Sequence, residues 1–359
     1  MNRFISDEPI RLQMIKDIFL EPNNQALNIL IQIGVKDGDD AALIKYSEQD
    51  SLVVASDFIR GSEFYLFELG YLDYFDIGYY LIVANLSDIA AMGATPLALT
   101  TIIRYRNEMT DEQFNQIVRG IKAAADFFNV QIIGGDIGSH SANVLAATAL
   151  GMVKTENALL RRGVRNDDLL CVTGKIGLPI TALIYFKEVK PLNPDSLLSI
   201  EEENKILLSW QRPVARIEEG LLLSENKLAN ACQDISDGLK ATIEQISELN
   251  NQTFTIYADR LPIDETTNKL AYFLNVDPVK IAVSASVDFE LMFTLSPHNQ
   301  KLCSALFANK GYKFSIIGEV NKVNKNILVD SNGNEVELPG VVWKQQTGDY
   351  LKQIIYRMN

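Results

Sequence analysis

Aspartate recurs in this chain where a turn or the end of an element would present it. Gly38-Asp39-Asp40 reads as a tight turn, Asp57 ends a β-branched run, and Asp136 follows the pair Gly134-Gly135. Asp88 lies within Asn85-Leu86-Ser87-Asp88-Ile89-Ala90-Ala91-Met92-Gly93-Ala94, and Asp234 and Asp237 flank Ser236 ahead of Gly238-Leu239. Taken singly, most of these have ordinary explanations: an aspartate beside glycine forms turns, and one before a helix caps it. Asp88 differs, because its neighbours are small and apolar and an unpaired buried carboxylate is costly. It needs an arginine or a metal ion. Carboxylate oxygens are hard ligands, so the metal chemistry would be that of magnesium or a similar ion. Arg161-Arg162-Gly163-Val164-Arg165 is the basic counterpart. Such a loop is either solvated surface or, in an acidic protein, a phosphate contact.

Composition narrows the chemistry further. Asp and Glu number 46 against 33 Lys and Arg, a net charge of -13 over 359 residues. That balance disfavours nucleic acid or an anionic membrane as partner, since both need clustered cations. Only two histidines occur, His140 and His298, so a triad or a histidine metal site is poorly supplied. Cys171, Cys232 and Cys303 are odd in number and far apart, which argues against a disulfide framework or zinc knuckle and for a reducing, cytoplasmic setting. Asp7 and Glu8 stand where a signal peptide would be apolar. The longest apolar stretch, Leu81 to Thr100, is interrupted by Asp88, Gly93 and Pro96 and is no membrane span. Walker A, the dinucleotide GxGxxG and the protein-kinase HRD are absent, so nucleotide binding would follow another route.

The elements that must position these residues alternate between strand and helix. The pattern predicts a helix after Ser6-Asp7, strands over Ala41–Ile44 and Ser51–Ser56, and a buried helix over Ile77–Met92 stopped by Gly93 and Pro96. Leu97–Tyr105 reads as a strand. Thr110–Phe128 reads as a helix with Thr110 and Gln113 as capping partners. Val130–Ile133 is a short strand ending at Gly134-Gly135-Asp136, and Ser141–Val153 is another strand. Beyond it come a strand at Leu169–Thr173, a helical region over Thr181–Asn226, a helix over Leu239–Leu249, and strands at Phe289–Leu295 and Tyr312–Val320. The character changes near residue 154, giving expected domains 1–153 and 154–359.

In this order the pieces resemble thiamine-monophosphate kinase, within the superfamily of aminoimidazole ribonucleotide synthetase, selenophosphate synthetase and a hydrogenase maturation factor. The matching segments are Gly38 to Leu43, Ser56-Asp57, Asn85 to Pro96, Ile133 to Asp136, Leu160 to Gly163, Val172 to Gly174, Asp234 to Leu239 and Asp288 to Thr294. The resemblance implies a two-domain α/β (α+β) fold. Its N-terminal sheet pairs with that of a second copy in a dimer barrel, and its C-terminal domain is a layered α+β unit. It also implies ATP as co-substrate and several Mg2+ ions. Asp39, Asp40, Ser56, Asp57, Asp88, Asp136, Asp234 and Asp237 are the implied metal residues. Gly135, Asp136, Arg161 and Ser236 are the implied ATP contacts, and Glu63, Asp288 and Trp343 the implied substrate residues.

The acceptor half departs from the family pattern. No histidine occurs between Asp57 and Phe64, where the family places one against substrate. Val287 stands where the family has a substrate-binding glutamate, and Ala55 replaces a hydroxyl-bearing residue. Trp343 and Tyr350 are the candidates for a C-terminal aromatic that stacks on substrate. The expected activity is phosphoryl transfer from ATP to thiamine monophosphate or a related small phosphorylated acceptor. The rival readings are an ATP-dependent synthetase that activates an amide or carboxyl oxygen, and a non-catalytic nucleotide-binding protein. The hydrogenase factor's C-terminal cysteine and the N-terminal Cys of selenophosphate synthetase have no equivalents here, which argues against those two subfamilies.

Overall fold

The computed structural model describes residues 8–19, 30–59, 64–192, 197–343 and 350–355. Two sheets organise them. The first contains β1 (Ile31–Ile33), β2 (Ala42–Lys45), β3 (Asp50–Ile59), β4 (Thr95–Arg106), β5 (Gln131–His140) and β6 (Val144–Lys154), in the order β1-β2-β3-β6-β4-β5. All neighbours run antiparallel except β4 and β5, whose parallel pairing is made possible by the crossover helix Asp111–Phe127. Thr110 and Gln113 cap that helix reciprocally, as the sequence predicts.

The apolar helix Tyr74–Ala91 lies against this sheet and is buried along nearly its whole length. It starts three residues before the predicted Ile77, because Asp73 and Asp76 form a capping box that the hydrophobic pattern conceals. Two glycines let it meet the crossover helix backbone to backbone. A Cβ on Gly78 would lie 2.1 Å from the Ile117 carbonyl oxygen, and one on Gly120 would lie 2.0 Å from that of Phe75. Along β6 the buried residues Leu145, Ala147, Ala149 and Val153 face the helices, while half-buried Val144, Ala146, Leu150 and Met152 face away, so both faces are apolar.

The second sheet holds β7 (Leu169–Thr173), β8 (Ala229–Asp234), β9 (Thr253–Tyr257), β10 (Leu291–Leu295), β11 (Phe314–Asn321), β12 (Ile327–Val329) and β13 (Glu335–Glu337). Its order is β13-β12-β9-β11-β7-β10-β8, antiparallel except between β12 and β9. β10 is buried at every position, which fits a near-continuous apolar run inside a layered unit. The Tyr74–Ala91 helix also joins the two units. Gly220 of the helix Ile217–Glu225 passes so close that its Cβ would meet the Ala90 carbonyl oxygen at 2.2 Å.

Two local expectations change. Gly134-Gly135-Asp136 does not end a strand: β5 continues through it to His140. Gly135 sits beside a register shift in the β4–β5 pairing, and a Cβ there would lie 1.9 Å from the Thr101 carbonyl oxygen, so the glycine serves close backbone approach. The helical region also begins earlier, at Leu178, and passes through a π-helical turn at Tyr185–Val189. No helix among the described residues is long and apolar enough to cross a membrane.

Candidate active site

Three carboxylates meet where the units join. Asp40 comes from the turn before β2, Asp88 from the last turn of the Tyr74–Ala91 helix, and Asp234 from the end of β8. One oxygen from each lies within 4.8 Å of the others. Their positions are fixed by neighbours. Ser87 Oγ donates to Asp234 Oδ2 at 2.6 Å, tying the helix to the second sheet. Arg161 donates through Nε (3.0 Å) and Nη2 to a single oxygen of Asp40, Oδ1, and its Nη1 reaches the Gly38 carbonyl at 3.3 Å. The backbone N–H of Arg161 donates to both oxygens of Asp39 at 3.2 Å. Asp39 thus holds the turn while Asp40 enters the cluster with its side chain fully buried.

The electrostatics are strained in one direction. Burial, then the charge of Asp40, pushes the Asp39 carboxyl up to about 6. Asp40 is raised by burial and pulled back by Arg161. Asp88 is raised by burial and by Asp234, Asp40 and Asp57. Asp234 is raised by burial and by Asp40, against the opposing bond from Ser87. One arginine cannot compensate this much negative charge. The Oδ2 atom of Asp40 is buried with no partner. An orphaned hard oxygen beside two further carboxylates fits a small divalent cation such as Mg2+.

The remaining predicted residues distribute around this cluster. Asp57 in β3 is exposed; its backbone N–H donates to Asn85 Oδ1 at 3.0 Å, so the helix fixes its position beside Asp88. Ser56 is exposed and bonds Thr148 across the β3–β6 pair at 2.8 Å. Ser236 Oγ donates to Asp234 Oδ1 at 3.4 Å, and exposed Asp237 acts on Asp234 through its charge. Asp136 and Gly135 are exposed on β5, where Asp136 pairs with Arg104 and is held below the usual carboxylate range by it. Asp288 accepts from the Gly177 N–H at 2.7 Å through Oδ1, while its Oδ2 is buried without a partner. Burial pushes its carboxyl up to about 8, with Glu290 adding to the rise. Trp343 is half-buried, in a segment pinned to the strand of chain before Asp288 by the Ala285 N–H to Val341 bond of 2.8 Å. Glu63 lies outside the described residues, as does the Tyr350 side chain.

Sequence reasoning assigned no role to Asn85 and Ser87, although both stand inside its most specific motif. It also passed over Tyr80, whose hydroxyl feels the charges of Asp57, Asp288 and Asp237. Helical spacing from Asp88 was the available signal for Asn85 and Tyr80, three and eight residues before it on one side of the helix.

The carboxylate set can neutralise and orient a polyphosphate through cations, and Arg161 adds a guanidinium to it. Comparison with known proteins shows the family. The model of AIR synthase related protein, N-terminal domain, matches residues 38–153, and that of the C-terminal domain matches residues 165–331. The thiamine-monophosphate kinase of Methanocaldococcus jannaschii is 35% identical over 287 residues, covering 78% of this chain and 86% of the relative. That of Pyrococcus horikoshii is 29% identical, covering 88% and 92%. The solved thiamine-monophosphate kinase from Stenotrophomonas maltophilia superposes with a TM-score of 0.69 at 26% identity, over 90% of this chain and 96% of that one. AaThiL complexed with AMPPCP and TMP shares the fold, with a TM-score of 0.76 at 21% identity over 96% and 100%. With both domain models matched and most of a 35%-identical relative covered, this chain belongs to the thiamine-monophosphate kinase family.

Proposed function

We propose that this protein transfers the γ-phosphoryl group of ATP to the phosphate of thiamine monophosphate, giving thiamine diphosphate and ADP. The observation that carries the reading is the meeting of Asp40, Asp88 and Asp234 at the unit junction, in a chain that aligns over most of its length with kinases of that name. Asp40, Asp57, Asp88, Asp234 and Asp237 would hold Mg2+ ions, with Asp39 and Ser56 supporting them and Asp136 completing the set. When bound, such cations would neutralise the charge of the phosphates. Arg161, Gly135 and Ser236 are the proposed ATP contacts. The acceptor oxygen belongs to a phosphate monoester that is largely ionised at neutral pH, so the chain needs to orient it rather than deprotonate it. No histidine is required for that. Asp288, with its free oxygen, and the Trp343 segment are the proposed acceptor side, together with Glu63.

The same reading extends to assembly and setting. Phe58, Ile102, Ile133 and Ile137 are exposed on the first sheet, whose edge strand is β5. An apolar face beside an open edge calls for cover, and we assign that cover to a second copy of the chain, in a dimer of cytoplasmic type. The division at residues 153 and 154 would then separate a dimerising, metal-binding domain from the domain that closes over the substrates.

The test is phosphorus NMR of the protein with ATP, Mg2+ and thiamine monophosphate, with light scattering on the same sample. Diphosphate resonances of thiamine diphosphate and ADP should grow together, from a species of twice the chain mass. ATP consumption without thiamine diphosphate would remove the acceptor from the reading, and a monomer at micromolar concentration would remove the dimer.

A further inference from the structure

Lys240 is the second residue of the helix Leu239–Asn250, directly after the loop Ser236-Asp237-Gly238 assigned above to ATP and cations. A cation in a first turn opposes the helix dipole. Lys240 also precedes Glu244 by one turn, the weaker order for a helical ion pair, and the two charges stand 4.0 Å apart. The side chain is nevertheless only 16% exposed. Its nearer partners belong to another part of the chain: Nζ donates to the Leu338 carbonyl at 3.0 Å and to the Gly340 carbonyl at 3.2 Å. The lysine therefore serves the C-terminal segment rather than its own helix.

That segment, residues 338–343, leaves the edge strand β13 and turns inward. Leu338 is buried in the apolar cluster that holds Leu239, Ala282 and Val283. Beyond it the backbone is gripped from the other side. The Val341 N–H donates to Ser284 Oγ at 3.0 Å, and the Ala285 N–H donates to the Val341 carbonyl at 2.8 Å. Ser284 Oγ itself donates to the Lys280 carbonyl at 2.6 Å, which fixes its orientation. Gly340 lies so close that a Cβ on it would stand 2.9 Å from Val283 Cγ2. The ATP-side loop reaches the same place, since a Cβ on Gly238 would lie 2.2 Å from the Ser284 carbonyl oxygen. The loop ending at Gly238, the run from Ser284 to Asp288 and the segment ending at Trp343 thus converge. Irregular chain has no ladder of its own to satisfy its carbonyls, so Lys240 and Ser284 set where this segment lies.

We propose that Lys240 and Ser284 are positioning residues for the acceptor: they clamp the segment 338–343 from two sides and so hold Trp343 in place for the acceptor. This rests on the reading above, which puts Trp343 and Asp288 on the acceptor side. An aromatic side chain on a loosened segment is in place for only part of the time, and the apparent affinity of its ligand falls by that fraction. The ATP-side loop is held by the close backbone packing of Gly238 on Ser284, which neither side-chain bond supplies. Loss of the clamp therefore weakens the acceptor and spares ATP.

The test uses the full chain with Lys240→Met, which keeps the aliphatic stem and drops the ammonium, and with Ser284→Ala, which loosens the segment from the opposite side. Steady-state assays vary thiamine monophosphate and ATP separately, below the melting temperature of each variant. The expected result in both is a roughly 5- to 50-fold rise in KM for thiamine monophosphate, the range of one or two lost hydrogen bonds. KM for ATP and kcat should stay within about threefold, a split that general loosening of the fold would not produce. A second readout needs no turnover. Of the two tryptophans, Trp210 is buried against Phe64 and Tyr80, so acrylamide quenches chiefly Trp343. That quenching should rise in both variants. Unchanged quenching would overturn the clamp. Raised quenching with an unchanged KM for thiamine monophosphate, or an equal rise in both KM values, would overturn its role toward the acceptor. If Lys240→Met does not fold, Ser284→Ala decides by the same criteria. If the unaltered protein fails to turn over thiamine monophosphate, the proposed function falls and the acceptor role with it, while quenching still decides the clamp.

Discussion

Two arginine–carboxylate pairs, Arg161 with Asp40 and Arg216 with Glu290, are built differently. Arg216 grips Glu290 as a fork: Nε donates to Oε2 at 2.6 Å and Nη2 donates to Oε1. Thr173 Oγ1 adds a further bond to Oε2 at 2.6 Å. Even the backbone conforms, since a Cβ on Gly174 would lie 2.1 Å from Glu290 Oε1. Arg161 instead spends Nε and Nη2 on one oxygen of Asp40 and leaves Oδ2 buried and unpartnered, facing further carboxylates. A buried pair with every oxygen bonded is complete in itself. One that leaves an oxygen orphaned among like charges requires something more, and the cations proposed for phosphoryl transfer would meet that need. The contrast separates a structural site from a working one without reference to the family.

The largest expected effect of breaking that contrast is on catalysis. Asp88→Asn and Asp234→Asn each remove one negative charge from the cluster while keeping its shape. Turnover should fall by at least about three orders of magnitude, roughly 4 kcal/mol at 1.4 kcal/mol per tenfold. In metal-free buffer the melting temperature should hold or rise, because a repelling buried carboxylate has gone. A steady-state assay and a thermal melt on the same preparation check both halves. Loss of stability in step with activity would mean that the carboxylates hold the fold together.

Arg216→Met attacks the completed pair and should do the reverse. It strands Glu290 in the interior, and breaking a buried pair from one side costs about 3 kcal/mol or more of stability. Activity per folded molecule should change by less than about tenfold. Urea unfolding, with turnover measured well below the transition, distinguishes the two. A stable protein with lost activity would move Glu290 into the working site.

Much of this was legible in the sequence. The ordered motifs, read through their resemblance, gave both domains, and Asp88 could be singled out because a carboxylate in an apolar helix demands a partner. What could not be read was pairing. Asp39 and Asp40 are adjacent and alike in sequence, and only the fold shows that one accepts the Arg161 backbone while the other enters the cluster. Gly134-Gly135 resembled a strand end because glycine usually breaks strands. Here it lets β5 run close against Thr101. The Glu290–Arg216 pair joins residues 74 positions apart with no local signature. The start of the Tyr74–Ala91 helix was misplaced because its capping box lies outside the hydrophobic pattern.

The smallest and most diagnostic effect concerns pH. Asp39 is raised to about 6 and Asp288 to about 8, both mainly by burial, and Asp88 and Asp234 are raised as well. With folded values above the ordinary value of 3.8, the native state binds more protons than the unfolded chain once pH exceeds about 4. Metal-free stability should therefore decline as pH rises from about 4 through these folded values. Asp264 works oppositely, its carboxyl lowered by bonds from Lys175 and Lys205 despite burial. Its contribution is lost only as pH falls below its ordinary range, outside this window. Mg2+ held as proposed by the ionised carboxylates would compete with protons at low pH and relieve repulsion at high pH. The rise in melting temperature on adding saturating Mg2+ should thus be small at pH 5 and larger, by a few degrees, at pH 7.5. In Asp88→Asn that pH-dependent gain should shrink, whereas in a conservative Arg216→Lys variant it should persist. A Mg2+ effect of equal size at both pH values would place the cation away from the raised carboxylates and sever the link between their burial and the chemistry.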